Sequence, residues 1–228
     1  YSNPPPVRYA NAETYDGTSF SETGDLNTAR NALGGAGASS TSAIAIGGYA
    51  PPGNQAVVET WDGSSWTEVG DLNTSRANLS AAGIATAAIG FGGYASDYEA
   101  KAETWNGSSW TEVADLNDAR AYLGGSGTTS TEALAYGGDT PGNTANTESW
   151  NGSSWTEVSN LNTARNGGNY GSTGTYTSCL YFGGSVSPNG QTEEWNGTNW
   201  TEVADLNETR EELMGAGTST ASLAAFGR

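Results

Sequence analysis

Histidine is absent from this sequence, and cysteine, methionine and basic residues are scarce. Without histidine the chain cannot form a Ser-His-Asp or Cys-His catalytic arrangement, nor a metal site with histidine ligands. The single cysteine, Cys179, excludes an intrachain disulfide. No apolar run approaches the roughly 20 residues that cross a bilayer as a helix, so we expect no membrane insertion.

Positive charge is also scarce, because 8 basic residues stand against 25 acidic ones and give a formal net charge of −17. A field of that sign repels phosphate backbones and anionic lipids, so we do not expect nucleic acid as a partner. Solubility explains the acidity, with a cationic partner or bound cation as the alternative. No P-loop, dinucleotide-binding or EF-hand motif occurs, and we expect neither a cofactor nor a metal. Paired carboxylates could hydrolyse a glycoside, but among so many acids that signal is unspecific, and we predict no enzyme.

A motif of 16 residues recurs five times along the chain. Its third copy, WNGSSWTEVADLNDAR, begins at Trp105, and successive copies start 44 to 46 residues apart. The other copies begin at Tyr15, Trp61, Trp150 and Trp195. Repetition at this period indicates units that bury their apolar faces against neighbouring units.

Each unit is predicted to contain four short strands. After the third copy these strands read AYLGGSGTT, EALAYGG, NTESWNG and SSWTEV. The first two strands turn at TSTE, and the last two turn at Asn-Gly or Asp-Gly, which is a strong hairpin signal. No segment has the apolar spacing of a helix, and glycine, serine and threonine are too frequent for helices. The chain is therefore predicted to be all-β.

The two ends of the chain each supply part of a unit. The residues before Tyr15 resemble the end of a repeat, and the last copy is followed by only half of one, LAAFGR. Four-stranded units repeated around a ring form a β-propeller, which leaves no loose edge when both ends share a blade. We predict one five-bladed propeller domain over residues 1–228, with segments of about 1–24 and 208–228 sharing a blade. The small residues of the first strands predict a narrow central channel.

The order of features within each unit resembles the Kelch repeat. An arginine precedes a small-residue strand, then come an apolar strand ending in Gly-Gly, a variable loop, a glutamate with an aromatic residue, a short turn, a tryptophan and a leucine. This resemblance covers almost the whole chain and implies four-stranded Kelch-like blades. The NGSSWTEV copies also resemble repeat proteins of marine bacteriophage genomes, which implies a virion or bacterial surface as the setting.

The most constant side chains are predicted to hold the scaffold. Tryptophans at fixed places suit packing between blades, with sugar stacking as the alternative. Each repeat arginine has a matching glutamate before the first aromatic residue, and guanidinium groups bind carboxylates or strand-end carbonyls. An anion-binding ring of arginines is the alternative. The matching glutamates are Glu13, Glu59, Glu103, Glu148 and either Glu193 or Glu194. The predicted structural positions are Arg30, Arg76, Arg120, Arg165, Arg210, Trp66, Trp110, Trp155 and Trp200.

The loops after the glycine pairs differ from unit to unit and are the predicted ligand-binding regions. Constant scaffold beside varied loops favours a non-catalytic module that binds a glycan or a protein receptor, while free variation of exposed loops is the alternative. Two other classes stay open: a structural or decoration module in a larger viral assembly, and an engineered repeat protein. The candidate ligand-binding residues are Tyr49, Asp97, Tyr98, Lys101, Asp139, Asn143 and Asn189.

Overall fold

A computed structural model describes residues 8–167, 172–185, 190–210 and 213–226. Strands are the regular secondary structure of these ranges, which contain no helix that is long and apolar enough to cross a membrane. In chain order the strands are β1 (Glu13–Tyr15), β2 (Phe20–Glu22), β3 (Gly34–Ser39), β4 (Ser42–Ile46), β5 (Tyr49–Ala50), β6 (Gly53–Asn54), β7 (Val58–Trp61), β8 (Trp66–Glu68), β9 (Ser80–Ile84), β10 (Ala87–Phe91), β11 (Ala102–Trp105), β12 (Trp110–Glu112), β13 (Gly124–Thr129), β14 (Glu132–Tyr136), β15 (Thr147–Trp150), β16 (Trp155–Glu157), β17 (Ser172–Thr175), β18 (Ser178–Phe182), β19 (Thr192–Trp195), β20 (Trp200–Glu202), β21 (Leu213–Thr218) and β22 (Ala221–Phe226).

Most of these strands form antiparallel sheets of four strands, one sheet for each of the last four copies of the motif. The four sheets have the strand orders β3-β4-β7-β8, β9-β10-β11-β12, β13-β14-β15-β16 and β17-β18-β19-β20. The remaining strands form the hairpins β1-β2, β5-β6 and β21-β22. The prediction of an all-β chain built from repeated four-stranded antiparallel sheets is therefore confirmed. The hairpin β5-β6 lies within the first variable loop and was not predicted.

The last two strands of each sheet are joined by a four-residue loop that begins with the Asn-Gly or Asp-Gly pair. In the second sheet the side-chain oxygen of Asn106 accepts hydrogen bonds from the backbone N–H groups of Ser108 (2.9 Å) and Ser109 (3.0 Å). Gly107 has a φ of 93°, which favours glycine over residues with a side chain. The asparagine thus acts through its side chain as well as through the turn that it precedes.

Successive sheets pack through the paired tryptophans. Trp105 and Trp110 lie opposite each other on β11 and β12, with ring centroids 5.5 Å apart. They are buried in one apolar cluster with Ile44, Ile46 and Val58 of the preceding sheet. The same arrangement joins the second sheet to the third and the third to the fourth. The tryptophans of the second, third and fourth sheets are therefore core residues, which a ligand does not reach.

The first strands of the sheets face a common space. The strands β3, β9, β13, β17 and β21 lie side by side in chain order and line one cleft of about 2330 Å³. We call this space the central cleft. Both terminal hairpins also line it, and so do Trp61 and the half-buried Trp66 of the first sheet. Glycine, alanine and serine dominate the first strands, and this composition leaves the space between them open.

Candidate binding site

Four repeat arginines anchor the segments that connect one sheet to the next. Arg76 precedes β9, and its Nη2 atom lies 3.0 Å from Oε1 of Glu103 on β11, with both side chains fully buried. The other carboxylate oxygen of Glu103 accepts two hydrogen bonds of 2.8 Å from Asn73, one from the backbone and one from the side chain. The four ion pairs are Arg30 with Glu59, Arg76 with Glu103, Arg120 with Glu148 and Arg165 with Glu193.

These ion pairs stabilise the fold and are closed to a ligand, because solvent does not reach them. Burial lowers the pKa of Arg76 and of Arg120, although neighbouring carboxylates oppose the shift. Burial acts to raise the pKa of Glu59, but hydrogen bonds from Arg30 and Asn27 outweigh it and hold that pKa below its usual value. The fifth repeat arginine, Arg210, is half-buried.

Each anchored arginine fixes the two residues that follow it beside a variable loop. The residue directly after the arginine forms a β-bridge with the residue directly after the glycine pair. Three such bridges join Asn31 to Tyr49, Ala77 to Tyr94 and Ala121 to Asp139. In the fourth sheet the backbone N–H of Ser185 donates to the carbonyl of Asn166 at 3.1 Å. The variable loops therefore start from a fixed position in every repeat.

The second residue after each arginine takes part in a backbone chain that runs from sheet to sheet. The N–H of Asn78 donates to the carbonyl of Ala32 (2.8 Å), that of Tyr122 to Asn78 (3.0 Å), and that of Gly167 to Tyr122 (3.0 Å). All four residues have positive φ, at 55° for Ala32 and Asn78, 56° for Tyr122 and 95° for Gly167. We call these four residues the inner row.

The inner row and the residues that follow the glycine pairs together form one edge of the central cleft, which we call the rim. Every one of these side chains or backbones lines the cleft. The rim consists of Ala32, Asn78, Tyr122 and Gly167 in the inner row and of Tyr49, Tyr94, Asp139 and Ser185 in the loops. The side chains vary from repeat to repeat, whereas the backbone that carries them repeats.

Neighbouring loops are tied to each other by their side chains. The amide of Asn54 donates to the carbonyl of Tyr94 at 2.8 Å, and the hydroxyl of Tyr98 donates to Oδ2 of Asp139 at 2.6 Å. The hydroxyl of Ser185 lies 3.4 Å from Oδ1 of Asn143. At the start of the described chain, the guanidinium of Arg8 lies 4.8 Å from the centre of the Tyr49 ring. Each contact links one repeat to the next, so the rim is held as a unit.

The most aromatic part of the rim surrounds Asp139. The rings of Tyr94 and Tyr98 meet edge to face with centroids 5.6 Å apart. Tyr94 is 38% exposed and Tyr122 is 37% exposed, so both rings are accessible. The pKa of Tyr98 is raised to about 12, first by its hydrogen bond to Asp139 and then by burial and by the charges of Asp139, Tyr122 and Tyr94. Tyr94, Tyr122 and Asp139 therefore line one part of the cleft, and Tyr98 adjoins them through its hydrogen bond to Asp139.

The structure brings some of the sequence-predicted ligand residues to the rim and leaves others away from it. Tyr49 and Asp139 line the cleft. Tyr98 does not line it, but its hydroxyl donates a hydrogen bond to Asp139. Asn143 lies beside the rim residue Ser185. Lys101 points elsewhere, because its Nζ donates to Thr74 at 3.0 Å and lies 3.6 Å from Glu112.

Two further candidates do not join the rim. The Asp97 carboxylate accepts a hydrogen bond from the backbone of Tyr98 within its own loop and does not line the cleft. Asn189 lies outside the described residues.

Sequence reasoning missed Tyr94, Asn54 and the inner row. Tyr94 follows its glycine pair as Tyr49 does, so position alone could have identified it. The inner row carries no clear signal, because the residues on both sides of it also vary from unit to unit. Nothing in the sequence shows that its residues have positive φ or that they face the cleft.

The described residues contain no group of three or more cysteine, aspartate or glutamate side chains arranged to hold a metal ion. Hydrogen-bonding side chains and tyrosine rings are thus the chemistry that the rim offers. A comparison of the chain with protein-family models gives no match, and a comparison with curated proteins gives none either.

Proposed function

We propose that this protein is a non-catalytic carbohydrate-binding domain that holds its ligand at the rim of the central cleft. One observation carries this proposal: the accessible rings of Tyr94 and Tyr122 line the cleft together with Asp139, whose carboxylate accepts a hydrogen bond from Tyr98. A sugar has an apolar C–H face and a periphery of hydroxyl groups. Tyrosine rings can pack against that face, and the neighbouring carboxylate can accept hydrogen bonds from the hydroxyl groups.

Asp139 retains the capacity to bind a ligand. A carboxylate offers about four lone-pair positions. The hydroxyl of Tyr98 occupies one on Oδ2, and the backbone N–H of Gly142 occupies one on Oδ1. These two bonds orient the group and leave lone pairs for two sugar hydroxyls. A carboxylate held in this way loses little side-chain freedom when a ligand arrives.

The charge of the protein selects among saccharides. The net charge of −17 and the carboxylate at the rim both repel anionic sugars such as sulfated or carboxylated ones. Neutral saccharides and amino sugars are therefore the favoured ligands. The links between loops hold the rim in place before binding, which limits the entropy lost on association.

An array of neutral, amino and anionic saccharides tests the proposal. We expect the labelled wild-type protein to bind neutral or amino sugars, and Tyr94→Ala and Asp139→Asn each to weaken binding by about tenfold or more. Tyr176→Ala is the matched control, because this tyrosine lies at the turn between β17 and β18 and lines a different pocket. Binding to no saccharide, or equal losses for all three variants, would overturn the proposal.

We also propose that the chain closes into a five-bladed propeller whose ends, about 1–24 and 208–228, share a blade. Within the described residues β1 pairs with β2 and β22 pairs with β21, so each hairpin keeps an edge open to a further strand. Tyr15 is 39% exposed and Phe20 is 44% exposed, although the equivalent Trp105 and Trp110 are buried. Pairing of β22 with β1 would supply the missing partners and cover both rings.

A further inference from the structure

We propose that two of the four inner-row residues determine which saccharide this protein binds, with Tyr122 as the stacking surface and Asn78 as a hydrogen-bonding group. This inference rests on the proposed function and adds the residues that select the ligand. None of the four was identified from the sequence.

The inner row keeps its backbone constant and varies its side chain. The hydrogen bonds that join the row measure 2.8, 3.0 and 3.0 Å, and the φ values of Ala32, Asn78 and Tyr122 agree to within a degree. The side chains at these matched positions are a methyl group, an amide and a phenol. A scaffold that presents different groups from identical backbone positions is suited to selecting a ligand.

Tyr122 has a strained backbone conformation. Its φ of 56° lies in the left-handed region, which residues with a β-carbon adopt at a cost and glycine adopts freely. Gly167 occupies the equivalent position in the fourth sheet, so the fold accepts glycine there. Tyrosine at this position therefore costs folding stability, and the backbone conformation does not require it. Such strain is characteristic of positions kept for function.

The side chains of Tyr122 and Asn78 contribute little to the core. The Tyr122 side chain is 37% exposed, and its hydroxyl makes no hydrogen bond within the described parts of the chain. The half-buried amide of Asn78 likewise bonds to no other described residue. Both groups line the cleft and are available to a ligand. Strained positions whose side chains have no structural role are candidates for ligand binding.

The position of Tyr122 also fits the proposed ligand. The preceding residue, Ala121, exchanges backbone hydrogen bonds of 3.1 and 2.8 Å with Asp139, so ring and carboxylate come from adjacent points of the rim. The backbone of Tyr122 donates in turn to Asn78 at 3.0 Å. Asp139 and Asn78 thus occupy rim positions next to Tyr122, where both can form hydrogen bonds with a sugar stacked on its ring. Ala32 and Gly167 leave room at the two ends of the row.

Three glycine substitutions test this inference: Tyr122→Gly, Asn78→Gly and Ala32→Gly. Each one removes the steric cost of a β-carbon in the same left-handed conformation. We therefore expect thermal midpoints equal to or above that of the wild type. Affinity should fall by about tenfold or more for Tyr122→Gly, and by a smaller factor for Asn78→Gly. Ala32→Gly is the matched control, since it relieves equivalent strain and removes one methyl group, and it should keep the wild-type affinity. Tyr122→Phe should retain most of the binding, because it keeps the ring.

The possible outcomes separate this inference from the proposed function. Saccharide binding that is lost in Asp139→Asn but unchanged in Tyr122→Gly would overturn the inference and leave the proposed function standing. A Tyr122→Gly variant with a clearly lower midpoint would also overturn it, because the tyrosine would then be a structural residue. A wild-type protein that binds none of the saccharides on the array would overturn both.

Discussion

Arg120 and Glu148 form an ion pair of 2.9 Å between Nη2 and Oε1, and neither side chain is reached by solvent. Glu148 also accepts two hydrogen bonds of 2.8 Å from Asn117, so both carboxylate oxygens are satisfied. Arg120 donates further to backbone carbonyls, including that of Gly137 at 3.3 Å. One buried group therefore fastens the connecting segment to the third sheet and sets the position of Ala121 and Tyr122 at the rim.

Removing one member of this pair is expected to be costly. Arg120→Met leaves the Glu148 carboxylate buried without its cation, which should lower the free energy of unfolding by about 3 to 5 kcal/mol. Urea unfolding measures the change. Lys101→Met serves as the control, because the Lys101 and Glu112 side chains are 39% and 58% exposed and their pair should contribute about 1 kcal/mol or less. Similar losses for the two variants would contradict the structural role of Arg120.

The contact between Tyr98 and Asp139 predicts a dependence on pH. The pKa of Tyr98 rises from 10.0 to about 12, so the folded state favours the protonated phenol. A raised pKa stabilises the fold fully below the unfolded value, and this contribution disappears as the pH rises through the folded value. The link should hold below pH 10 and be lost as the pH rises towards about 12.

Ultraviolet absorbance of tyrosinate tests this shift. The titration of the wild type minus that of Tyr98→Phe should show an ionisation near pH 12, and Asp139→Asn should move that ionisation back towards 10.0. If Tyr98 in the wild type ionises near 10.0, its hydroxyl does not hold the two loops together as the geometry indicates.

The scaffold was more predictable from the sequence than the rim, and the reason is physical. Repetition reveals any residue that must be the same in every unit, so the arginines and their glutamates could be paired from their matched numbers. The choice between Glu193 and Glu194 stayed open because both precede Trp195. Alternation along β19 settles it, since Glu193 is buried against Arg165 and its neighbour faces the other side.

Residues of the rim follow the opposite rule, because the positions that we propose to select the ligand differ from unit to unit. Tyr122 stands in the sequence as one variable residue among many, and its importance depends on a φ of 56° and on its place beside Asp139. Both are consequences of how the connecting segment crosses from sheet to sheet. Lys101, by contrast, is predicted as a ligand residue because it stands in a variable loop and can donate hydrogen bonds, and its contacts with Thr74 and Glu112 direct it away from the rim.

Cys179 should be chemically inert in the folded protein. The side chain is fully buried, and burial raises the pKa of its thiol to about 12 against weaker opposing hydrogen bonds from Ser126 and Tyr136. Thiolate is the reactive form, so alkylating reagents should not modify the native protein at neutral pH. Modification should appear only in denaturant and should follow the unfolding curve measured by tryptophan fluorescence. Rapid labelling of the native protein would show that the cluster around Cys179 opens locally.

Closure of the ring by a shared blade can be tested with a disulfide. In the third sheet Leu134 lies opposite Ser149. The equivalent residues of the shared blade are Ala224 on β22 and Thr14 on β1, because Phe226 corresponds to Tyr136 and Glu13 corresponds to Glu148 in the repeat. If β22 pairs with β1 in this register, Thr14→Cys together with Ala224→Cys places two thiols directly opposite each other across the pair.

We expect this double variant to form an intramolecular disulfide and to gain about 4 to 5 kcal/mol in unfolding free energy, because the bond closes a very long loop. Non-reducing electrophoresis and mass spectrometry identify the bond. Thr14→Cys with Ala225→Cys is the control, since a shift of one residue along β22 turns the second thiol to the opposite face of the sheet. Bonds between molecules, or equal bonding in both variants, would mean that the terminal hairpins do not share a blade. The free edges of β1 and β22 would then be sites where separate chains could pair.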